Sequence, residues 1–87
     1  MVRYAGDGSS VDDPIVISNV IGHSEAIQAE YSYLSRKLGV RGTDWELVRQ
    51  TLLSLNDRWI DQMDIRLVDG TEMTLFFDIT NYWGKFG

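Results

Sequence analysis

His23, Asp57, Asp61, Asp64 and Asp78 are the side chains whose types could do chemistry in this chain. His23 is the only imidazole, a group able to act as a general base or a metal ligand. There is no Cys and no second His, so no zinc ligand set can be assembled around it. Asp57, Asp61 and Asp64 cluster before or within one segment, and oxygen ligands of this kind suit Ca²⁺ or Mg²⁺. A strand would point Asp61 and Asp64 to opposite faces, and no calcium-loop spacing surrounds them. Asp61 falls on the apolar side of its segment, where Arg49 or Arg58 is its expected partner. Asp78 lies between Phe77 and Ile79, where an unpaired carboxylate would be costly. Arg66, or the N–H groups of the Thr80–Tyr82 turn, would satisfy it. No cofactor and no metal is expected, and a small enzyme using His23 and Asp78 is the weaker reading.

Composition excludes other classes. The chain has 87 residues, 8 Lys or Arg against 13 Asp or Glu, and a net charge of −5. An acidic balance argues against nucleic acid as the main partner, because phosphate binding needs local Lys and Arg. Arg36, Lys37 and Arg41 form the one basic cluster, and compensation of a helix C-terminus accounts for Arg36 and Lys37. Gly39-Val40-Arg41-Gly42 lacks the Lys-Ser/Thr of a phosphate loop. The apolar runs are far short of the ~18 residues that span a bilayer, and no signal peptide is read at the start. The expectation is an acidic, cytoplasmic protein with no membrane contact.

The elements that must position these residues follow from periodicity. Residues 1–12 are rich in Gly, Ser and Asp and read as a flexible tail, leaving a single domain over 13–87. Pro14 introduces Ile15-Val16-Ile17, a short buried strand. Ser24 is placed to cap a helix along which Ile27, Tyr31, Leu34 and Leu38 form one stripe, with Gly39 as its stop. Residues 43–55 satisfy a helical pattern (Trp45, Val48, Leu52, Leu55) and a strand pattern (Trp45, Leu47, Leu53, Leu55). The turn pair Asn56-Asp57 and the β-rich sequence beyond it favour the strand. Residues 59–79 read as a hairpin about Asp69-Gly70, expected to be a two-residue type I′ turn. Leu75-Phe76-Phe77 is apolar on both faces, so this strand is interior, with Ile15–Ile17 as its far neighbour.

The segments Asp13-Pro14-Ile15-Val16-Ile17, Ala29-Glu30-Tyr31 and Asp69-Gly70-Thr71 leading to Phe77-Asp78-Ile79-Thr80 resemble a pattern in small uncharacterised bacterial single-domain proteins. The likeness covers most of residues 13–84, supports a strand at 43–55 and implies no function. The expected class is α+β: one main helix on an antiparallel sheet of about four strands, in the order β-α-β-β-β.

One helix cannot cover such a sheet, because strands lie nearly 5 Å apart and a helix is about 10 Å wide. Apolar surface should remain open at one sheet edge or on the opposite face, where Phe76, Ile60, Val48 and Leu52 would form a patch. Open surface of this kind marks an interface. The expected function is therefore a small protein-interaction module that binds a protein partner or itself. Phe76 and Ile60 on the less covered face, with Tyr82 and Trp83 beyond the last strand, are its expected contact residues. The alternative is an inhibitor or immunity-type protein, presenting Asp44, Glu46, Asp57, Asp61 and Asp64 on one acidic face.

Overall fold

The computed structural model describes residues 2–20 and 22–81. The fold is α+β. Strands β1 (Arg3–Ala5) and β2 (Ile15–Ser18) precede helix α1 (His23–Leu38), and β3 (Trp45–Leu55), β4 (Arg58–Leu67) and β5 (Glu72–Asp78) follow it. They form one five-stranded sheet in the order β1-β2-β5-β4-β3. Within residues 43–55 the structure forms strand over 45–55. The context decided it: β3 pairs along β4 from Trp45↔Leu67 to Leu55↔Arg58, and that ladder supplies the hydrogen bonds a helix would have made internally.

The sheet differs from the sequence expectation in two ways. It is mixed, because β2 runs parallel to β5 (Ile15↔Phe77) while the other pairs are antiparallel. It also has a fifth strand, because the segment read as a tail enters the fold. Tyr4 pairs with Ile17, its hydroxyl donates to the Ala29 carbonyl at 2.8 Å, and its ring lies 5.2 Å from that of Tyr33. Gly8 is buried, and its carbonyl accepts the Phe76 N–H at 2.9 Å. Gly8 thus supplies the hydrogen bonding of β5 ahead of the point where β2 begins. One ring contact, one side-chain hydrogen bond and a shared ladder repay the ordering entropy that composition counted against this segment.

Helix α1 begins earlier than Ser24. Gly22 is its N-cap, with no side-chain cap, and Gly39 ends it at φ 104°. Its buried face is rotated by about one residue from the expected stripe. Ala26, Ala29, Glu30 and Leu34 are buried, whereas Ile27 is 40% exposed. The alanines let the helix approach β2 and β5 closely, and Tyr33 meets Phe77 edge-on at 5.7 Å. The core is Ile15, Ile17, Leu34, Trp45, Met63, Ile65, Leu75, Phe77 and Ile79 with those alanines.

The expected turn pair Asn56-Asp57 is a type I′ turn, whereas the type I′ turn expected at Asp69-Gly70 does not form. Asn56 (φ 51°) and Asp57 (φ 62°) are both left-handed, and they join Leu55 to Arg58 as the two-residue type I′ turn. At the β4–β5 connection the Gly70 N–H donates to the Leu67 carbonyl at 2.9 Å, and Leu67 N–H donates to Thr71 at 2.7 Å. There Gly70 (φ 89°) takes the positive φ and Asp69 does not, so this is a longer loop closed by a left-handed glycine. Gly70 still carries a testable requirement. A Cβ there meets nothing within 4 Å, so a substitution costs backbone strain alone. Gly70→Val should destabilise the domain by roughly 1–3 kcal/mol in denaturant melts, and Gly70→Asn by clearly less. Equal stability for all three would show that the loop accepts a negative φ.

Candidate functional site

The residues singled out for chemistry do not converge. Among the described residues no three of His, Cys, Asp and Glu come together as a metal site. His23 is the first residue of α1, and its side chain lies outside the described residues.

Asp78 ends β5 and is held by the turn beyond it. Its Oδ1 accepts the Thr80 N–H at 2.9 Å and hydroxyl at 2.6 Å, and its Oδ2 accepts Arg58 Nε at 2.9 Å. Its partner is Arg58 and not Arg66, which pairs with Glu46 at 3.0 Å and Glu72 at 3.6 Å. Register explains this, because Arg66 sits opposite Glu46 on one side and Glu72 on the other, at the far end of β4. Burial pushes the Asp78 carboxyl up, but the two bonds from Thr80 and the Arg58 guanidinium outweigh it and hold it below its usual range. An ionised carboxylate so engaged closes the end of the sheet.

Asp61 has neither Arg49 nor Arg58 as its partner. It lies on the helix side of β4, 5% exposed, and its Oδ2 accepts Gln50 Nε2 at 2.7 Å. A β-bulge between Leu47 and Arg49 shifts the register of β3, which sets Arg49 opposite Asp64 and leaves Gln50 on the side of Asp61. The second partner of Asp61 is Glu30, which periodicity had placed outside the buried stripe. Glu30 is 3% exposed and its carboxyl is hydrogen-bonded to that of Asp61, while its Oε2 has no partner among the described residues. Burial first, then the hydrogen bond and the charge of Asp61, push the Glu30 pKa up to about 10. At neutral pH Glu30 is therefore the neutral acid and donates to Asp61. Two carboxyl groups sharing a proton could serve as an acid–base pair, but this pair is closed between helix and sheet. A substrate would reach it only if α1 lifted.

The expected contact surface is partly interior. Ile60 is 1% exposed, so it cannot touch a partner in the folded protein. It sits between Leu53 and Asp78 on the far face, near the end of the sheet that Asp78 closes. Phe76 is half-buried, and Tyr82 and Trp83 lie outside the described residues. Of the acidic residues expected on one face, Asp61 is turned inward and three others are already engaged. Asp61 faces the helix, Asp64 accepts Gln62 and Thr74, Glu46 pairs with Arg66, and Asp44 accepts the Val40 N–H at 2.7 Å.

An open apolar surface lies at a sheet edge, the other place expected for it. β3 is the outermost strand, and Val48, Leu52 and Leu55 on it are 47%, 41% and 41% exposed. Near Trp45 its outer edge meets the Arg41–Gly42 segment, with the Gly42 N–H donating to the Trp45 carbonyl at 2.7 Å. Beyond the bulge, Arg49 to Leu55 is regular and has no further strand beside it among the described residues. A type I′ hairpin closes on a pair that exchanges both hydrogen bonds, here Leu55 and Arg58. By alternation Gln50, Leu52 and Ser54 turn their N–H and C=O groups away from β4. The sequence set β3 beside β4 and allowed open surface at a sheet edge, but whether another strand covers β3 depends on the full strand order.

Comparisons with family models, with curated proteins and with solved structures returned no significant match. No helix among the described residues is long and apolar enough to cross a membrane.

Proposed function

We propose that this domain is a small protein-interaction module that docks a β-strand against the outer edge of β3. The observation that carries the reading is the regular, open edge from Arg49 to Leu55 with Leu52 and Leu55 exposed on it. An edge of this kind is a template for strand addition: main-chain hydrogen bonds supply affinity and alternate side chains supply selectivity. The usual protections are sparse here. The stretch from Gln50 to Leu55 has no charged residue and no Pro, and the bulge lies before it. The cytoplasmic setting expected from the sequence belongs to this proposal.

Ser54→Pro removes an outward N–H that β4 does not use, so the hairpin should survive while an added strand loses a hydrogen bond. Phe76→Glu places a charge on the far sheet face and leaves the β3 edge intact. Protein captured by the wild type and by Phe76→Glu, but lost with Ser54→Pro, is the expected result, with circular dichroism confirming all three folds. Loss with Phe76→Glu alone would return the contact to the sheet face. Capture unaffected by either change overturns the reading.

A further inference from the structure

We infer that β1 is an exchangeable strap: it leaves its own β2 and pairs with β2 of a second copy, whose β1 pairs in return. The exchange concerns the sheet edge opposite β3 and does not depend on the docking read there. What already occupies the β2 edge identifies the partner. β1 pairs through Arg3↔Ser18, Tyr4↔Ile17 and Ala5↔Val16, and Tyr4 reaches the Ala29 carbonyl and the Tyr33 ring. A second copy brings the same three residues, so each of these contacts can be remade between copies. When β1 leaves, the uncovered edge from Ile15 to Ser18 has no charged residue and no Pro, the usual protections against pairing.

The hinge favours the exchange. Beyond it the chain is pinned to the rest of the domain. The Gly8 carbonyl accepts the Phe76 N–H at 2.9 Å, and the Gly8 N–H donates to the Asp13 carbonyl at 2.8 Å. Only Gly6 and Asp7 join this anchor to Ala5, so β1 turns back onto β2 within two residues. It does so through positive φ at Gly6 (101°) and Gly8 (84°). A Cβ at Gly6 would collide with the Pro14 carbonyl oxygen, so the closed hinge needs glycine there. Short hinges under such constraint invite exchange, because the extended hinge keeps every contact of the strand and gives up only the reversal. Extended, the link from Ala5 to Gly8 spans at most about 11 Å, so the two bodies lie side by side.

The absence of Cys makes the exchange directly readable. Ala5→Cys and Val16→Cys are prepared separately in the full chain, mixed at high concentration under reducing conditions, and then oxidised. Ala5 and Val16 are register partners, and paired Cα atoms of an antiparallel ladder lie about 4.5–5.5 Å apart, a distance a disulfide spans. The expected result on a non-reducing gel is a covalent dimer in the mixture that neither variant forms alone. Ala5→Cys mixed with Val68→Cys, exposed on the β4–β5 loop, should form none. Gly6→Val should strengthen dimerisation at least about tenfold over the wild type, read by light scattering as twice the 9.9 kDa chain mass, with the circular dichroism spectrum retained. A mixture that stays monomeric, or cross-links no better than with Val68→Cys, overturns the exchange. A folded, monomeric Gly6→Val protein overturns it too, because the closed hinge would then tolerate a side chain. If Gly6→Val unfolds, the cysteine mixture alone decides.

Discussion

Glu30→Gln should make the protein more stable at neutral and alkaline pH. Glu30 is buried against Asp61, and its pKa rises from 4.5 to about 10 on folding. A group whose folded pKa is raised binds more protons in the folded state than in the unfolded state between those two values. Each pH unit above 4.5 therefore lowers stability, because unfolding releases an acid that the fold keeps protonated. From pH 4.5 to 7 the accumulated cost is about 3 kcal/mol, at roughly 1.4 kcal/mol per unit. That is a large share of the ~5–10 kcal/mol such a domain has. Gln keeps the shape and can still donate to Asp61, but does not titrate. Urea melts should show wild-type stability falling from pH 5 to 9, and a Glu30→Gln variant with most of that slope removed and a gain of about 2–3 kcal/mol at pH 7. Parallel pH profiles for the two proteins would mean that Glu30 is solvated and ionised in solution.

Removal of residues 1–12 should destabilise the domain strongly. The deletion takes away β1 with its ladder to β2, the Tyr4 bond to Ala29, the Tyr4–Tyr33 contact, the Arg36 guanidinium stacked 5.1 Å over the Tyr4 ring, and the Gly8 carbonyl that accepts Phe76 N–H. It exposes the β2 edge with Ile15 and Ile17, both fully buried in the intact protein. Losing a half-buried aromatic with its hydrogen bond, plus part of the cover of two isoleucines, amounts to roughly 3–5 kcal/mol. For a domain of this size that lowers Tm by at least about 12 °C. Tyr4→Ala alone should reproduce a substantial part of the drop. A truncated protein that melts with the wild type would show that β1 and the Gly8 loop contribute nothing to stability.

Local sequence determined much of the frame. The helix, its stop at Gly39, the alternating strands at 59–79, the interior position of Leu75–Phe77 and its neighbour Ile15–Ile17 follow from period, punctuation and burial on both faces. Each is a property of a few consecutive residues, so it needs no knowledge of the rest of the chain. The α+β class follows from the same elements.

Tertiary structure decided what depends on distant partners. Arg3–Ala5 is weakly apolar by itself and becomes a strand because β2 offers an edge and Tyr33 a ring. Glu30 looks like a surface residue until the alanines draw its helix face onto the sheet, and only there does Asp61 meet it. The bulge before Arg49 moves Gln50 to the helix side, an offset that no periodic pattern records, because one extra residue exchanges the faces of every residue after it. The turn at Asn56-Asp57 sets β3 beside β4, but that no further strand covers β3 among the described residues is shown only by the sheet order. Alternation tells which side chains face inward, while strand order tells which backbone remains open, and strand order is set by the packing of the whole sheet.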